Sequence, residues 1–412
     1  MKLMNSLLER RPALFTVLLA TLTALTSLSI DMSLPAMPEL QQTFRAGVSS
    51  VQLTLSIFLT GFALGQIVCG PLSDRWGRRP VLLAGLTLFT LAGLVCAGST
   101  SLAMLVAARF VQGAGASVGP VVARAIVRDR YDARRASSVL SQITQVMIVA
   151  PLLAPTLGGY LLVNFGWAAI FKLLGVSGAL FTLVCWRFLP ETTRPLTLEV
   201  RRPQTRASLR EVLKHRASLR HALTTCFAYA GMFAYVGSSP FVLIDGFGVK
   251  EENFGYFFAL TALALLVAAT VNRSLLKRHT PSLVILRRGV LILFVAGVAL
   301  ALAAWSGVGG LAGVIVPMMA YMFGQGLLMP NATAEAMAPH AESAGLVSSL
   351  MGALQTGGGA LAGYLVGLFY DHTPLSLAVT VGAFAALALL ASGLGASSNQ
   401  RSAEALHVTC EA

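Results

Sequence analysis

Charge is what this chain has least of. Only 11% of its 412 residues are Asp, Glu, Lys or Arg, under half the roughly 25% of a soluble domain. Seventeen are acidic, and the mean hydropathy is +0.74. That leaves too little polar surface to dissolve a compact globule, so the two or three soluble domains suggested by this length are excluded. Cysteine is also scarce. Cys69, Cys96, Cys185, Cys226 and Cys410 lack metal-site spacing, and four lie in or beside apolar segments. They read as small packing residues, with no disulfide scaffold, redox pair or zinc site. No H-E-x-x-H string and no G-K-(S/T) phosphate loop occurs. No metal, cofactor or bound nucleotide is expected.

What the chain does have is long uncharged runs. They cover 12–30, 46–73, 80–108, 136–171, 221–244, 253–272, 289–334, 343–370 and 372–400. A bilayer-crossing helix needs about 20 apolar residues. Helices are required because lipid offers the backbone no hydrogen-bond partners. The run 289–334 holds two crossings, with Ser306-Gly307-Val308-Gly309-Gly310 as the turn between them. Two more crossings, near 102–123 and 167–189, are each interrupted by one cation, Arg109 and Lys172. Twelve helices result. The segments are continuously apolar and do not alternate with a period of two, which excludes a β-barrel. The run after Arg10-Arg11 is too long for a signal peptide and lacks a clear cleavage site, so it reads as a retained first helix.

Lys and Arg orient the spans. With the N-terminus cytoplasmic, the cytoplasmic segments carry three, three, five, nine, five and one cations, 26 of the 30. Only Arg45 and Lys250 fall in outer loops. This is the positive-inside pattern, and both termini are expected in the cytoplasm. The net charge of +13 therefore reports topology, and no nucleic-acid partner is expected. The longest internal polar interval, about Pro190 to Arg220, divides the spans six and six. The expected organisation is a bundle at 1–190, a basic cytoplasmic loop at 191–220, and a second bundle with a short tail at 221–412. Ser208 to His221 reads either as a basic amphipathic helix on the inner leaflet or as a bare topology signal. Glycine pairs four apart (Gly61/Gly65, Gly115/Gly119, Gly309/Gly313, Gly359/Gly363/Gly367) read as packing faces, and a monomer is expected.

The most specific segment is Gly70-Pro71-Leu72-Ser73-Asp74-Arg75-Trp76-Gly77-Arg78-Arg79-Pro80, after the second span. Its glycines and proline permit a tight reversal. Asp74, placed at the start of the turn into span 3, has two possible roles: satisfying helix N-terminal amides or pairing with an arginine. A charged topogenic turn would suffice physically. The string nevertheless resembles the signature loop of the major facilitator superfamily, G-x-L-(A/S)-D-R-x-G-R-(R/K). That resemblance implies a cytoplasmic gate built from Gly70, Asp74, Arg75, Gly77 and Arg78. The equivalent stretch of the second half, Asn272 to Arg288, is basic but lacks the glycine-aspartate pattern, so any second latch is degenerate.

Three further strings carry the resemblance. Arg109 lies about two turns inside an apolar stretch, where a cation is costly and functional by default; the alternative is snorkelling to the outer interface. Arg109 and Gln112 match the R-x-x-Q-G pattern of drug-exporting branches, where the arginine is associated with proton coupling. Asp31 ends span 1, and no other acidic residue lies within any span. It could be an interfacial carboxylate, but Asp31-Met32-Ser33-Leu34-Pro35-Ala36-Met37-Pro38 resembles span 1 of the Bcr/CflA drug-resistance transporters. The resemblance implies that Asp31 handles protons and substrate. Span 5 carries Pro151, Pro155, Gly158 and Gly159, where the prolines should disturb the helix. These match the antiporter motif G-x-x-x-G-P-x-x-G-G, with Ala150 and Ala154 replacing glycines. Pro190-Glu191-Thr192 and Ser238 to Ile244 are also family-like. Ile30, Gln112, Met232 and Tyr235 are candidate cavity residues, since methionine and aromatic surfaces suit varied apolar ligands.

The expected protein is an all-α, twelve-span transporter of a bacterial inner membrane, with lipids, protons and a small amphipathic molecule as partners. It would exchange protons for phenicol-, sulfonamide- or bicyclomycin-like drugs, or else export one natural metabolite such as an amino acid or siderophore. An enzyme is the rival class. Gly115-Ala116-Ser117-Val118-Gly119 matches G-x-S-x-G, but all six histidines fall in loops, helix ends or the tail, leaving Ser117 without a base.

Overall fold

A computed structural model describes residues 12–192, 215–371 and 373–393. Residues 208–214 of the expected segment Ser208 to His221 lie outside them, while Arg216 to His221 begin span 7; the cations at 2, 10, 11 and 401 and most of those in the central loop also lie outside. Every element among the described residues is helical. Span 1 is Pro12–Asp31, prolonged by a 3-10 turn at Leu34–Ala36 and a short helix Met37–Phe44. Spans 2 and 3 are Val48–Trp76 and Arg78–Ala97, and span 4 is Leu102–Ala116 continued as Val118–Arg130. Spans 5 and 6 are Ala133–Phe165 and Trp167–Phe188. Span 7 is Arg216–Pro240 with a π turn at Phe241–Gly246, and span 8 is Glu251–Lys277. Spans 9 to 12 are Ser282–Ser306, Gly310–Met337, Ala344–Leu368 and Leu375–Ser392. Eleven are long and apolar enough to cross a membrane; the uncharged 25-residue span 11 completes twelve.

The expected reversal at residues 70–80 is much tighter in the structure. Span 2 runs through Gly70 and Pro71 to Trp76, and the turn is Gly77 alone. Gly77 has φ +100°, a backbone state that a side chain resists. A Cβ there would also strike the Glu191 carboxylate. Asp74 therefore belongs to the last turn of span 2 and is not a cap for span 3. Span 5 likewise keeps both Pro151 and Pro155 inside one continuous helix. A membrane helix tolerates such breaks where neighbouring helices re-satisfy the freed carbonyls.

Within the first six spans, 2 packs on 4, 3 on 4 and 6, and 1 on 5; within the last six, 8 packs on 10, 9 on 10 and 12, and 7 on 11 and 12. The two halves meet along spans 2 and 11 and along spans 5 and 8. Peripheral spans expose apolar side chains at helical spacing, among them Val176, Leu180 and Leu183 on span 6 and Leu291, Val295 and Leu302 on span 9. In water such a surface would drive aggregation; against lipid it matches its solvent.

The seam is closed at the end away from the basic loops. There Gln52 Nε2 donates to the Gly237 carbonyl across the halves at 3.3 Å, and Gly367 lies on Gln52 and Ser49. The turn Leu34–Ala36 packs on spans 7 and 8.

Candidate functional site

Arg109 is the largest fully buried side chain described, 1% exposed. Its charge meets neutral dipoles. Nη1 donates to Gln112 Oε1 at 2.9 Å and to Ser29 Oγ at 3.0 Å and the Ser29 carbonyl at 3.3 Å. Nε donates to the Thr54 carbonyl at 3.4 Å. The guanidinium also lies 4.3 Å from the Phe58 ring centroid and 5.6 Å from that of Phe171. Spans 1, 2, 4 and 6 thus converge on one cation, which is turned into the bundle and does not snorkel outward. Cation–π contacts and charge-assisted hydrogen bonds are the two interactions that let a buried guanidinium persist without a carboxylate.

Asp31 ends the first segment of span 1 and is 6% exposed. It makes no ion pair with Arg109, which reaches span 1 two residues earlier, at Ser29. No hydrogen bond or salt bridge holds the Asp31 carboxylate among the described residues. Across the seam it acts electrostatically on Tyr229 of span 7, whose ring stacks on Phe233 with centroids 4.8 Å apart.

The four cavity candidates diverge. Gln112 is fully buried and turned inward, its oxygen held by Arg109, so it lines no opening. Tyr235 is also fully buried, stacked on Phe258 of span 8, and faces the second bundle instead of the seam. Ile30 is 7% exposed beside Asp31. Met232 is half-buried, its sulfur 4.0 Å from Gln325 Nε2. The structure brings Ile30 to Asp31 and Gln112 to Arg109; Met232 and Tyr235 point to different neighbours.

At the basic end, Arg78 binds Asp74 of span 2 at 2.5 Å and Asp129 of span 4 at 2.9 Å, with Ser73 Oγ at 2.7 Å. Arg78 is 4% exposed, while Arg75 is exposed and makes none of these bonds. Glu191 accepts from the backbone N–H groups of Arg78 at 2.9 Å and Arg79 at 3.1 Å. A carboxylate on two free amides at a helix start complements both the orphan donors and the dipole. On span 5, a side chain at Gly158 would collide with the Met32 carbonyl, and one at Gly159 with the Glu251 carbonyl of span 8. Both glycines lie at the closed end of the seam, where the chain must approach neighbouring backbone.

Twelve packed helices in two six-helix groups, with a buried cation, a buried acid and a charged joint at one end, define a transporter. The profile of the Major Facilitator Superfamily matches residues 19–363; the chain belongs to that superfamily. It is 30% identical to the bicyclomycin resistance protein homolog of Haemophilus influenzae over 93% of this chain and 96% of that one. It is 31% identical to multidrug resistance protein D of Escherichia coli over 84% and 86%. These relatives place it with the Bcr/CflA type, as a multi-pass protein of the bacterial inner membrane. A solved bacterial homologue of the lysosomal transporter Spinster, inward-facing and unoccupied, shares the fold with a TM-score of 0.72 at 16% identity, covering 92% of this chain and 96% of that one.

Several partners were not foreseen from the sequence. Asp129 is a single acid within Arg128-Asp129-Arg130, a signal in itself. Ser29, Thr54, Tyr229 and Gln325 gave none, because one sequence does not fix helix rotation.

Proposed function

We propose that the chain is a proton-coupled exporter of amphipathic drugs, with its basic end in the cytoplasm and its two bundles, 1–190 and 221–412, rocking about the seam as a monomer. Asp31 is the proton-handling group. The observation that carries this reading is a buried carboxylate beside Tyr229 of the other bundle, with no cation or hydrogen bond attached to it among the described residues. Ionised, it presents a bare charge to Tyr229; protonated, it presents a hydroxyl able to donate. Its interaction with the opposite bundle therefore depends on its proton, and a group whose interactions differ between states can bias an alternating equilibrium. Arg109 holds spans 1, 2 and 4 in the arrangement that places Asp31, acting on the carboxylate through Ser29 and span 1 and not by direct pairing. The joint of Asp74, Arg78 and Asp129 serves as the gate at the cytoplasmic face. Substrates of the kind named for the relatives, bicyclomycin among them, would leave through the opposite end when the Gln52–Gly237 contact opens.

The test is transport into inverted vesicles energised by a proton gradient. Wild-type protein should accumulate drug and lose that activity with a protonophore. Asp31→Asn should retain insertion and drug binding but lose gradient-driven accumulation. Undiminished accumulation by Asp31→Asn would overturn the assignment.

A further inference from the structure

A cavity of about 540 Å³ lies between spans 8 and 10 at the basic end, and Asn272, Arg273 and Lys277 supply its polar side chains. Its place follows from helix geometry. Arg273 lies five turns of 3.6 residues beyond Gly255 and so on the same face of span 8, and Gly255 is the point where span 8 packs against Thr156 of span 5 in the other half. The lipid-exposed residues of span 8, Tyr256, Leu260, Leu263 and Val267, lie on a different face. The cavity therefore lies on the face of span 8 that is turned toward the opposite bundle.

The lining offers donors and no carboxylate. Arg273 and Lys277 are exposed cations. Asn272 Oδ1 accepts from Asn331 Nδ2 at 2.7 Å, and Asn331 Nδ2 also donates to the Leu327 carbonyl at 2.7 Å. That anchoring fixes the Asn272 amide, so the end left for the cavity is its N–H2. Leu276, Ala269 and Pro330 complete the wall with apolar surface. Two cations and an oriented amide beside an apolar wall match a molecule with one anionic group on a hydrophobic body, and such a field enriches anions and disfavours cations.

We infer that this cavity is a loading site for organic anions, an aryl carboxylate being the simplest, where the substrate first docks before reaching the seam. The inference rests on the export reading but names its substrate class. It is tested on purified full-length protein with two probes of the same hydrocarbon and opposite charge, 2-naphthoate and 2-naphthylmethylamine, by calorimetric binding. The naphthoate should bind at least tenfold more tightly. Arg273→Gln/Lys277→Gln should abolish that preference, Arg273→Lys/Lys277→Arg should keep it, and Arg273→Glu/Lys277→Glu should invert it. Arg128→Gln, which alters an exposed cation of the other bundle, should change nothing. Equal affinity for the two probes, or a naphthoate affinity indifferent to the double Gln variant, would overturn the site. Binding is measured without a gradient, so the two readings fail separately. Charge-selective binding with no transport would sink the export reading alone, and drug transport with no charge selectivity would sink the loading site alone.

Discussion

At their basic ends the two bundles close the same three-helix joint with different chemistry. In the first, Arg78 at the start of span 3 ties Asp74 of span 2 to Asp129 of span 4. In the second, Asn272 of span 8 bonds Asn331 of span 10, and Ser282 at the start of span 9 bonds Glu335 of span 10. The turns differ as well: Gly77 has φ +100° and His279 has φ +57°. The contrast recurs at mid-depth. Span 4 carries Arg109 three residues before Gln112-Gly113, and span 10 carries Met322 three residues before Gln325-Gly326. Gly113 abuts the Phe58 carbonyl of span 2, and Gly326 abuts span 8 at the Leu265 carbonyl and Ala268. The same helix pair is thus built twice, once around a cation and once around a thioether. The first bundle concentrates groups whose interactions respond to charge. The second joins its helices mostly through neutral groups and leaves two of its cations, Arg273 and Lys277, at a cavity.

Making the first bundle resemble the second should have the largest effect. Arg109→Met should reduce gradient-driven export at least a hundredfold in vesicles. The swap removes the cost of burying the charge but leaves Gln112 Oε1 and Ser29 Oγ without the Arg109 donor, about 1–3 kcal/mol, so Tm in detergent should fall by only a few degrees. Arg109→Lys should not restore export, because a compact ammonium cannot serve Ser29, Thr54 and Gln112 together. A fully active Arg109→Met would remove the functional meaning of the contrast. At the basic joint, Arg78→Ala leaves two carboxylates facing each other and should cost about 3 kcal/mol. Asn331→Ala should cost only about 1–2 kcal/mol; thermal unfolding of the two variants side by side measures the difference. At the turns, Gly77→Ala should destabilise by about 1–2 kcal/mol through its positive φ, with the Glu191 clash adding to it. His279→Gly should be within about 0.5 kcal/mol of wild type. Equal effects at the two turns would show that neither turn depends on its residue type.

Much of the first bundle was legible because charge is rare there. Each acid or base inside an apolar run stands out, so Asp31, Arg109 and the residues around Asp74 could be picked out before any coordinates. What the sequence misplaced was direction. Gly70 and Pro71 read as loop but continue a helix, since a proline near a helix end loses few bonds. Gln112 and Tyr235 read as cavity residues, yet both face into their own bundles. Nothing in the sequence showed that Arg109 would reach span 1 at Ser29, two residues before Asp31. The second bundle was nearly silent, many of its polar contacts being made by Asn, Gln, Ser and Thr, residues too common to signal a role.

The sequence alone determined the number of spans, their lengths and the sign of charge at each end, because bilayer thickness and the absence of water in lipid act on composition and periodicity. Only the tertiary structure decided which residues meet. A helix of 3.6 residues per turn presents every azimuth, and which one faces a neighbour depends on contacts between spans far apart in the chain. Span 1 brings Asp31 to Tyr229, and Glu191 caps a helix 113 residues away, only because twelve helices pack in one particular order.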